Sequence, residues 1–207
     1  MDFMRPIEAI VLGAQGRVLA VLAETTAELN LRTIAQLAGI SQAQASRLLP
    51  DLVALGVVER REVPPASLFR LVPENVASQA LLALAHATDT VLDELGRIAA
   101  ALPCPPVSVI VFGSFARREA VADSDIDIVV VRPAEVDEDD DAWSASLETW
   151  RRHVRRLTGN PVEVLEVSAD ETAAKLAGRS QVWVDIRRDG RVVHGLGLDQ
   201  LRAASSG

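Results

Sequence analysis

Apolar positions change their period along the chain. Between Leu29 and Val72 they first recur at helical spacing. Ile34, Leu37 and Ala38 give one face to a short helix, and Ala45, Leu48, Leu49, Leu52 and Leu55 give one face to a second. Gly39 stops the first, because glycine accepts the left-handed conformation at a helix end. Ser41 offers its side-chain oxygen as a cap for the second, and Gly56 ends it. Pro50 falls inside that helix, where it removes one backbone hydrogen bond. "VVERREV" and "SLFRLV" then read as two short strands around Pro64-Pro65.

From Asn75 to Pro103 the pattern is Ala- and Leu-rich, without an internal proline. Leu84, Thr88, Val91, Leu95, Ile98 and Leu102 follow four- and three-residue steps, a heptad-like stripe. It predicts one long helix of about 39 Å at 1.5 Å per residue, ended by a stiff "PCPP" hinge at Pro103–Pro106. The stripe suits a helix packed on its own domain or a seam between two chains; a homodimer through this helix is the expectation. Beyond about residue 106 strands alternate with helices. "PVSVIVFGS" reads as a buried strand, "FARREA" as a short helix and "DIDIVVV" as a second strand. "WSASLETWRRHVRRLTG" follows as an amphipathic helix and "NPVEVLEVS" as a third strand. "SADE", Ser168–Glu171, has the form of a capping box.

Composition narrows the picture. The 207 residues suffice for one large or two small domains. Aromatics are only 3% and Tyr is absent, so Ala, Val, Leu and Ile must build the core. A net charge of −8 argues against a general polyanion or membrane-surface binder, while leaving room for a local basic patch. Glu8 and Arg17 interrupt the apolar N-terminal run, which excludes a signal peptide. No apolar run approaches the roughly 20 residues of a spanning helix. Cys104 is the single cysteine, so no intrachain disulfide forms, which fits a reducing cytoplasm. A soluble cytoplasmic protein without membrane contact is expected. "VDEDDD", Val136–Asp141, reads as a solvated loop before a helix N-terminus, and the terminal "AASSG" is expected to fray.

The order of helices and strands in the first 75 residues resembles the winged helix-turn-helix of MarR-type bacterial regulators. The resemblance implies a recognition helix whose exposed Gln42, Gln44, Ser46 and Arg47 reach base edges, with Arg60 and Arg61 of the wing strand on phosphate. Against it stands the charge. Met1–Ala101 holds 8 Arg and no Lys against 11 acidic residues, a net of −3, and the wing tip "PPA" is uncharged. Protein contact through the winged helix is the other reading.

The densest chemistry lies in "VIVFGSFARREAVADSDIDIVVV", Val109–Val131. Asp125 and Asp127 share one strand face about 7 Å apart, and two such carboxylates raise each other's pKa. A divalent cation removes that penalty, and Mg²⁺ is commonly held by one or two carboxylates plus substrate phosphates. Gly113 permits close approach of a phosphate, and Ser114 offers a hydroxyl and an N–H beside it. Asp-x-Asp-x-Asp also imitates the start of an EF-hand. Ile128 stands where that loop needs Gly and Ala134 where it needs Glu, so calcium is excluded. There is no Walker-A pattern, and His86, His153 and His194 lack metal-ligand spacing.

Gly113-Ser114-Phe115-Ala116-Arg117 followed by Ser124-Asp125-Ile126-Asp127 resembles the minimal nucleotidyltransferases of the DNA polymerase beta-type superfamily. The resemblance covers residues from about 106 to 195. It implies Asp125, Asp127 and a third carboxylate as metal ligands and catalytic residues, with Gly113, Ser114, Arg117 and Ser124 on the nucleotide. Glu163 and Glu166 are the candidates for the third acid; three residues apart, they face opposite sides of a strand, and Glu163 sits early, as in the family. That acid would deprotonate the attacking hydroxyl. The implied activity is transfer of a nucleoside monophosphate from an NTP such as ATP, with Mg²⁺ or Mn²⁺, to an acceptor that is a protein, an RNA end or a small molecule. Arg118 stands where the family has Gly, which would tighten or obstruct the phosphate turn. It favours the alternative of a transcriptional regulator whose second domain senses nucleotide without turnover. The expected fold is α+β. A winged helix-turn-helix spans residues 1–75, a linking helix and hinge 76–105, and a nucleotidyltransferase domain with a short mixed sheet flanked by helices 106–207.

Overall fold

The computed structural model describes residues 1–203; most of the "AASSG" tail, from residue 204, lies outside them. The chain forms two compact units, one of Arg5–Ala87 and one that joins Met1–Met4 to the chain from Thr88 onward. The first unit contains α1 (Pro6–Ile10), α2 (Ala14–Ala23), β1 (Leu29–Asn30), α3 (Leu31–Leu37), α4 (Gln42–Ala54), β2 (Val58–Val63), β3 (Ala66–Leu71) and α5 (Val76–Ala85). Its antiparallel sheet has the order β1-β3-β2. Ile7, Val18, Leu22, Ile34, Ala45, Leu49, Leu52 and Phe69 form the core. Two predicted core positions are outside it. Leu37 is 61% exposed and Leu55 66%, because both sit at helix ends where the chain turns away. Helix α4 runs through Pro50, which is on the solvent side.

The single long helix predicted from Asn75 to Pro103 is two helices. α5 ends at Ala85, His86 leaves helical geometry (φ −95°, ψ 16°), and α6 (Ala87–Ala100) begins beyond it. The physical reason is burial in two different cores. In α5, Leu81, Leu82 and Leu84 pack against the winged-helix core, and Ser78 Oγ donates to the Val57 carbonyl. In α6, Thr88, Val91, Leu95 and Ile98 are buried in the other unit, where the Leu95 carbonyl accepts from Trp150 Nε1 at 3.3 Å. The stripe read as a dimer seam is thus occupied within its own chain. The two compact units meet along the chain at residues 87/88, inside the segment expected to form a linking helix and hinge.

The second unit continues with β4 (Ser108–Phe112), α7 (Gly113–Ala116), β5 (Ile126–Arg132) and α8 (Asp141–Thr158). It is completed by β6 (Val162–Ser168), α9 (Ala169–Ala177), α10 (Gln181–Asp189), β7 (Arg191–Gly195) and α11 (Leu198–Ala203). The sheet is mixed, in the order β6-β5-β4-β7, with β5 parallel to β6 and the other pairs antiparallel. Alternation assigns its faces. Ile110, Val129, Val131 and Val167 pack on Leu176, Trp183, Ile186 and Leu201 from α9–α11. On the other face Val109 and Val130 meet Ala99, Leu102, Trp143 and Trp150 of α6 and α8. Gly96 lets α6 lie against β7, since a Cβ there would sit 2.0 Å from the Val193 carbonyl oxygen. The predicted "FARREA" helix is shorter and begins earlier, at Gly113. Asp140 caps α8 by accepting from Trp143 N at 2.8 Å, as the acidic loop predicted. Ser168 is the N-cap of α9 without a side-chain cap bond; Thr172 Oγ1 instead donates to its carbonyl. Among the described residues, no helix is long and apolar enough to cross a membrane.

Candidate functional site

β4 ends and β5 and β6 begin at one end of the sheet, and the predicted acids meet there. Asp127 lies opposite Phe112 of β4 and opposite Glu163 of β6. Residues level with each other in neighbouring strands point to the same face, so Asp127 and Glu163 project together. Glu166 lies opposite Val130 and uses the other face. There it accepts from Arg132 Nε at 2.8 Å and from Trp143 Nε1 at 3.0 Å, a structural anchor for α8. Asp125 is exposed, one residue before β5 starts.

The electrostatics match this placement. Burial lifts the Asp127 carboxyl above its ordinary value, and the negative charges of Asp125 and then Glu163 lift it further; Arg117 opposes them. Like charges are therefore gathered where burial already disfavours one of them. Gly113 closes over this group. It has φ +70°, and a Cβ would sit 2.2 Å from Asp127 Oδ2, so two constraints demand glycine. Half-buried Ser114 follows, its carbonyl accepting from Glu119 N at 2.8 Å.

Arg117 is near Asp127 but ion-paired, with Glu119 at 2.8 Å and Asp189 at 3.3 Å. Ser124 Oγ accepts from Val121 N at 3.0 Å, which fixes the loop into Asp125. Arg118 has φ +62°, in the left-handed region that glycine enters without strain. Its side chain reaches Asp89 at 2.6 Å, and half of it is exposed. The unusual residue keeps the glycine's backbone geometry and directs its side chain into a surface ion pair. Two participants were not visible as motifs: Asp189, far along the chain, and the fully buried Asn160, whose amide holds the loop carbonyls. Among the described residues, no group of three or more His, Cys, Asp or Glu is drawn tightly enough to hold a metal by itself.

The predicted DNA-facing residues of the first unit divide. Gln42, Ser46 and Arg60 line a cleft of about 730 Å³ between α4 and the β-strands, with Arg32, Pro50 and Phe69. Gln44 is engaged in a capping box: Ser41 N donates to its Oε1 at 3.0 Å and Gln44 N donates to Ser41 Oγ at 3.1 Å. Arg47 is exposed, with Nε on the Ala43 carbonyl at 3.1 Å. Arg60 pairs with Glu62 at 2.6 Å, and Arg61 pairs with Glu28. These contacts leave Gln44 and Arg61 less free than their exposed positions imply.

With the geometry in place, comparison with known proteins is informative at the level of domains. A nucleotidyltransferase domain model matches residues 91–187, and an IclR helix-turn-helix domain model matches residues 16–62. The chain joins a helix-turn-helix domain to a nucleotidyltransferase domain. The nucleotidyltransferase match holds Gly113, Asp125, Asp127 and Glu163; the helix-turn-helix match holds α3, α4 and most of β2. Two solved structures are similar to parts of the chain. One is described as a toxin-antitoxin with AMP-PNP, at 16% identity and TM-score 0.35, covering 53% of this chain and 78% of that one. The other is a MarR family transcriptional regulator from Silicibacter pomeroyi DSS-3, at 27% identity and TM-score 0.32, covering 48% and 68%. No curated protein matches the chain.

Proposed function

We propose that the second unit transfers a nucleoside monophosphate from an NTP to an acceptor hydroxyl, with Mg²⁺ or Mn²⁺, and that the winged helix binds DNA. The observation that carries the first part is the shared face of Asp127 and Glu163, with Asp125 beside them and Gly113 closed over the Asp127 carboxylate. Uncompensated carboxylates suit a hard divalent cation. That these acids are not drawn tightly together fits an ion that arrives with the nucleotide, whose phosphates complete its ligands. Asp125, Asp127 and Glu163 would hold it. When bound, it supplies positive charge to the attacking and leaving oxygens.

The chain's own residues account for the remaining chemistry. The backbone at Gly113 and Ser114 would receive the triphosphate beside the Asp127 carboxylate. Ser124 keeps the loop into Asp125 closed. Arg117 exchanges its exposed pair with Glu119 for a phosphate oxygen. Glu163 takes the proton from the acceptor hydroxyl as its oxygen bonds the α-phosphorus; the α–β bridging P–O bond breaks, and pyrophosphate leaves. In the winged helix, Arg47 and Gln42 are the residues left to read bases, with Ser46 and Arg60 along the cleft.

The deciding experiment incubates the chain with α-labelled NTPs and Mn²⁺, and then with host lysate. Label on a protein, an RNA or a small molecule, lost in Asp125→Asn/Asp127→Asn, supports transfer and identifies the acceptor class. Metal-dependent NTP binding without label or pyrophosphate selects the nucleotide-sensing regulator. Absence of metal-dependent binding in the wild type removes both.

A further inference from the structure

The loop that delivers Asp125 to the site is held from outside the motif by two elements far away in sequence. One is Asn160, in the turn between α8 and β6, and fully buried. Its Nδ2 lies 3.4 Å from the Val121 carbonyl, 3.2 Å from that of Ala122 and 2.9 Å from that of Ser124, the residue before Asp125. Its backbone N–H donates to Thr158 Oγ1 at 3.2 Å. Glu163 follows three residues after Asn160, so a single buried amide ties the approach to Asp125 to the approach to Glu163. The other element is the arm Met1–Met4. Phe3 and Met4 both donate their N–H groups to the Ala120 carbonyl at 3.0 Å. The Phe3 ring, 5% exposed, stands edge-on to the fully buried Phe115 ring at 4.9 Å. Phe115 is the residue after Ser114. The Met1 main-chain amine also donates to Asn160 Oδ1 at 2.5 Å, which joins the two elements.

We propose that Asn160 and the Met1–Met4 arm act as positioning residues, a latch that sets the separation of Asp125 from Asp127 and Glu163 and so determines how well the site takes a metal–nucleotide pair. The inference rests on the reading of those three acids as the metal-holding set. A buried amide whose donor and acceptor atoms are all engaged is costly to disrupt, because each freed group loses its partner away from water. The loop itself is a poor source of order. Ala122, Asp123 and Asp125 are exposed, and no regular element covers residues 117–125. Asn160 and the arm therefore supply constraints the motif lacks. The residue after the arm, Arg5, opens the winged-helix unit. The arm is thus one of two covalent connections between the units, and the one that ends on the motif.

The test uses the full chain, with Asn160→Ala to remove the clamp and Phe3→Ala to loosen the arm without touching the buried amide. Two readouts are taken: hydrogen exchange along the chain, and calorimetry of Mn²⁺ with a non-hydrolysable ATP analogue. The latch predicts faster exchange confined to about residues 117–125 in both variants, with β4, β5 and β6 unchanged. It also predicts a metal-dependent affinity lower by about ten- to a hundredfold in Asn160→Ala, as removing a group that orients metal ligands commonly costs, and a smaller loss in Phe3→Ala. Should Asn160→Ala fail to fold, Phe3→Ala carries the test by the same two readouts. Faster loop exchange with unchanged affinity overturns the latch, as does exchange that rises across the whole sheet, the mark of a purely structural role. A wild-type chain that binds no Mn²⁺–nucleotide removes the transfer reading and the latch together.

Discussion

Charge is arranged in opposite ways on the wing of the first unit and in the acid cluster of the second. In the winged helix, Arg60, Arg61 and Arg70 are paired with Glu62, Glu28 and Glu59 at the surface of the sheet. Hydrogen bonding to Glu28 and its negative charge raise the Arg61 guanidinium above its ordinary range, and the same contact lowers the Glu28 carboxyl. In the second unit, Asp127 is half-buried beside Asp125 and Glu163, and burial and like charge both raise it. Exposed pairs are screened by water and contribute little to stability. A half-buried anion among anions is a standing cost, and a fold retains such a cost where a ligand relieves it. Unpaired like charge is what sets the proposed site apart from the paired surface of the wing.

The strongest attempt to break that comparison removes the gathered charge. Asp125→Asn with Asp127→Asn should lower metal-dependent nucleotidyl transfer, followed by pyrophosphate release, by about two orders of magnitude or more. Retention of activity would make the acids structural. Next in size is Gly113→Ala. The left-handed backbone alone costs about 1–2 kcal/mol, and the new methyl must displace the Asp127 carboxylate. Both the melting temperature and Mn²⁺–nucleotide affinity should fall, whereas loss of stability alone would place Asp127 outside the site.

The third prediction concerns pH. Asp127 has a folded-state pKa above its unfolded value, so it binds its proton more tightly in the folded chain. Its ionisation therefore destabilises the metal-free protein as pH rises from the ordinary Asp value through the raised one. Asp127→Asn should raise the metal-free melting temperature at neutral pH, and that gain should vanish below about pH 4. A neutral-pH melting point below that of the wild type would show that the carboxylate is stabilising instead.

Smaller effects sharpen the contrast from the paired side. Arg118→Gly relieves about 1–2 kcal/mol of left-handed strain and loses an exposed pair with Asp89 worth about 0–1 kcal/mol. A small net rise in stability is expected in denaturant melts, and Arg118→Ala, which keeps the strain, should lie below the wild type. Smallest is the wing. A double-mutant cycle on Arg61 and Glu28 should give a coupling under about 1 kcal/mol. Glu28→Ala, by freeing Arg61, should raise non-specific DNA affinity at low salt.

Parts of this were legible because they are local. A run of β-branched residues ending in Gly113-Ser114, followed by a second apolar run that opens at Ile126-Asp127, specifies two strands and a tight turn without reference to the rest of the chain. The separation of Glu163 from Glu166 is equally local, since strand parity decides it. The helix from Asn75 was not legible, because its periodicity is the same whether one core or two receive it; only tertiary packing broke it at His86. Arg61 read as free surface because its partner Glu28 is 33 residues away; the capping box that engages Gln44 is a local Ser-x-x-Gln pattern, a signal that the reading of Gln44 as a base contact passes over.

What the sequence alone determined, then, was most of the order of elements, the Gly-Ser and Asp-x-Asp spacing, and the opposite faces of Glu163 and Glu166. Covalent periodicity sets these directly. Tertiary structure alone decided that Arg118 takes a glycine's conformation and sends its side chain to Asp89, that α6 serves the sheet instead of a seam, and that Asn160 and Phe3 hold the loop at Asp125. Each of these joins residues well apart in the chain. Such contacts form only when burial and hydrogen bonding in the folded state offset the entropy of bringing them together, and no local pattern records that balance.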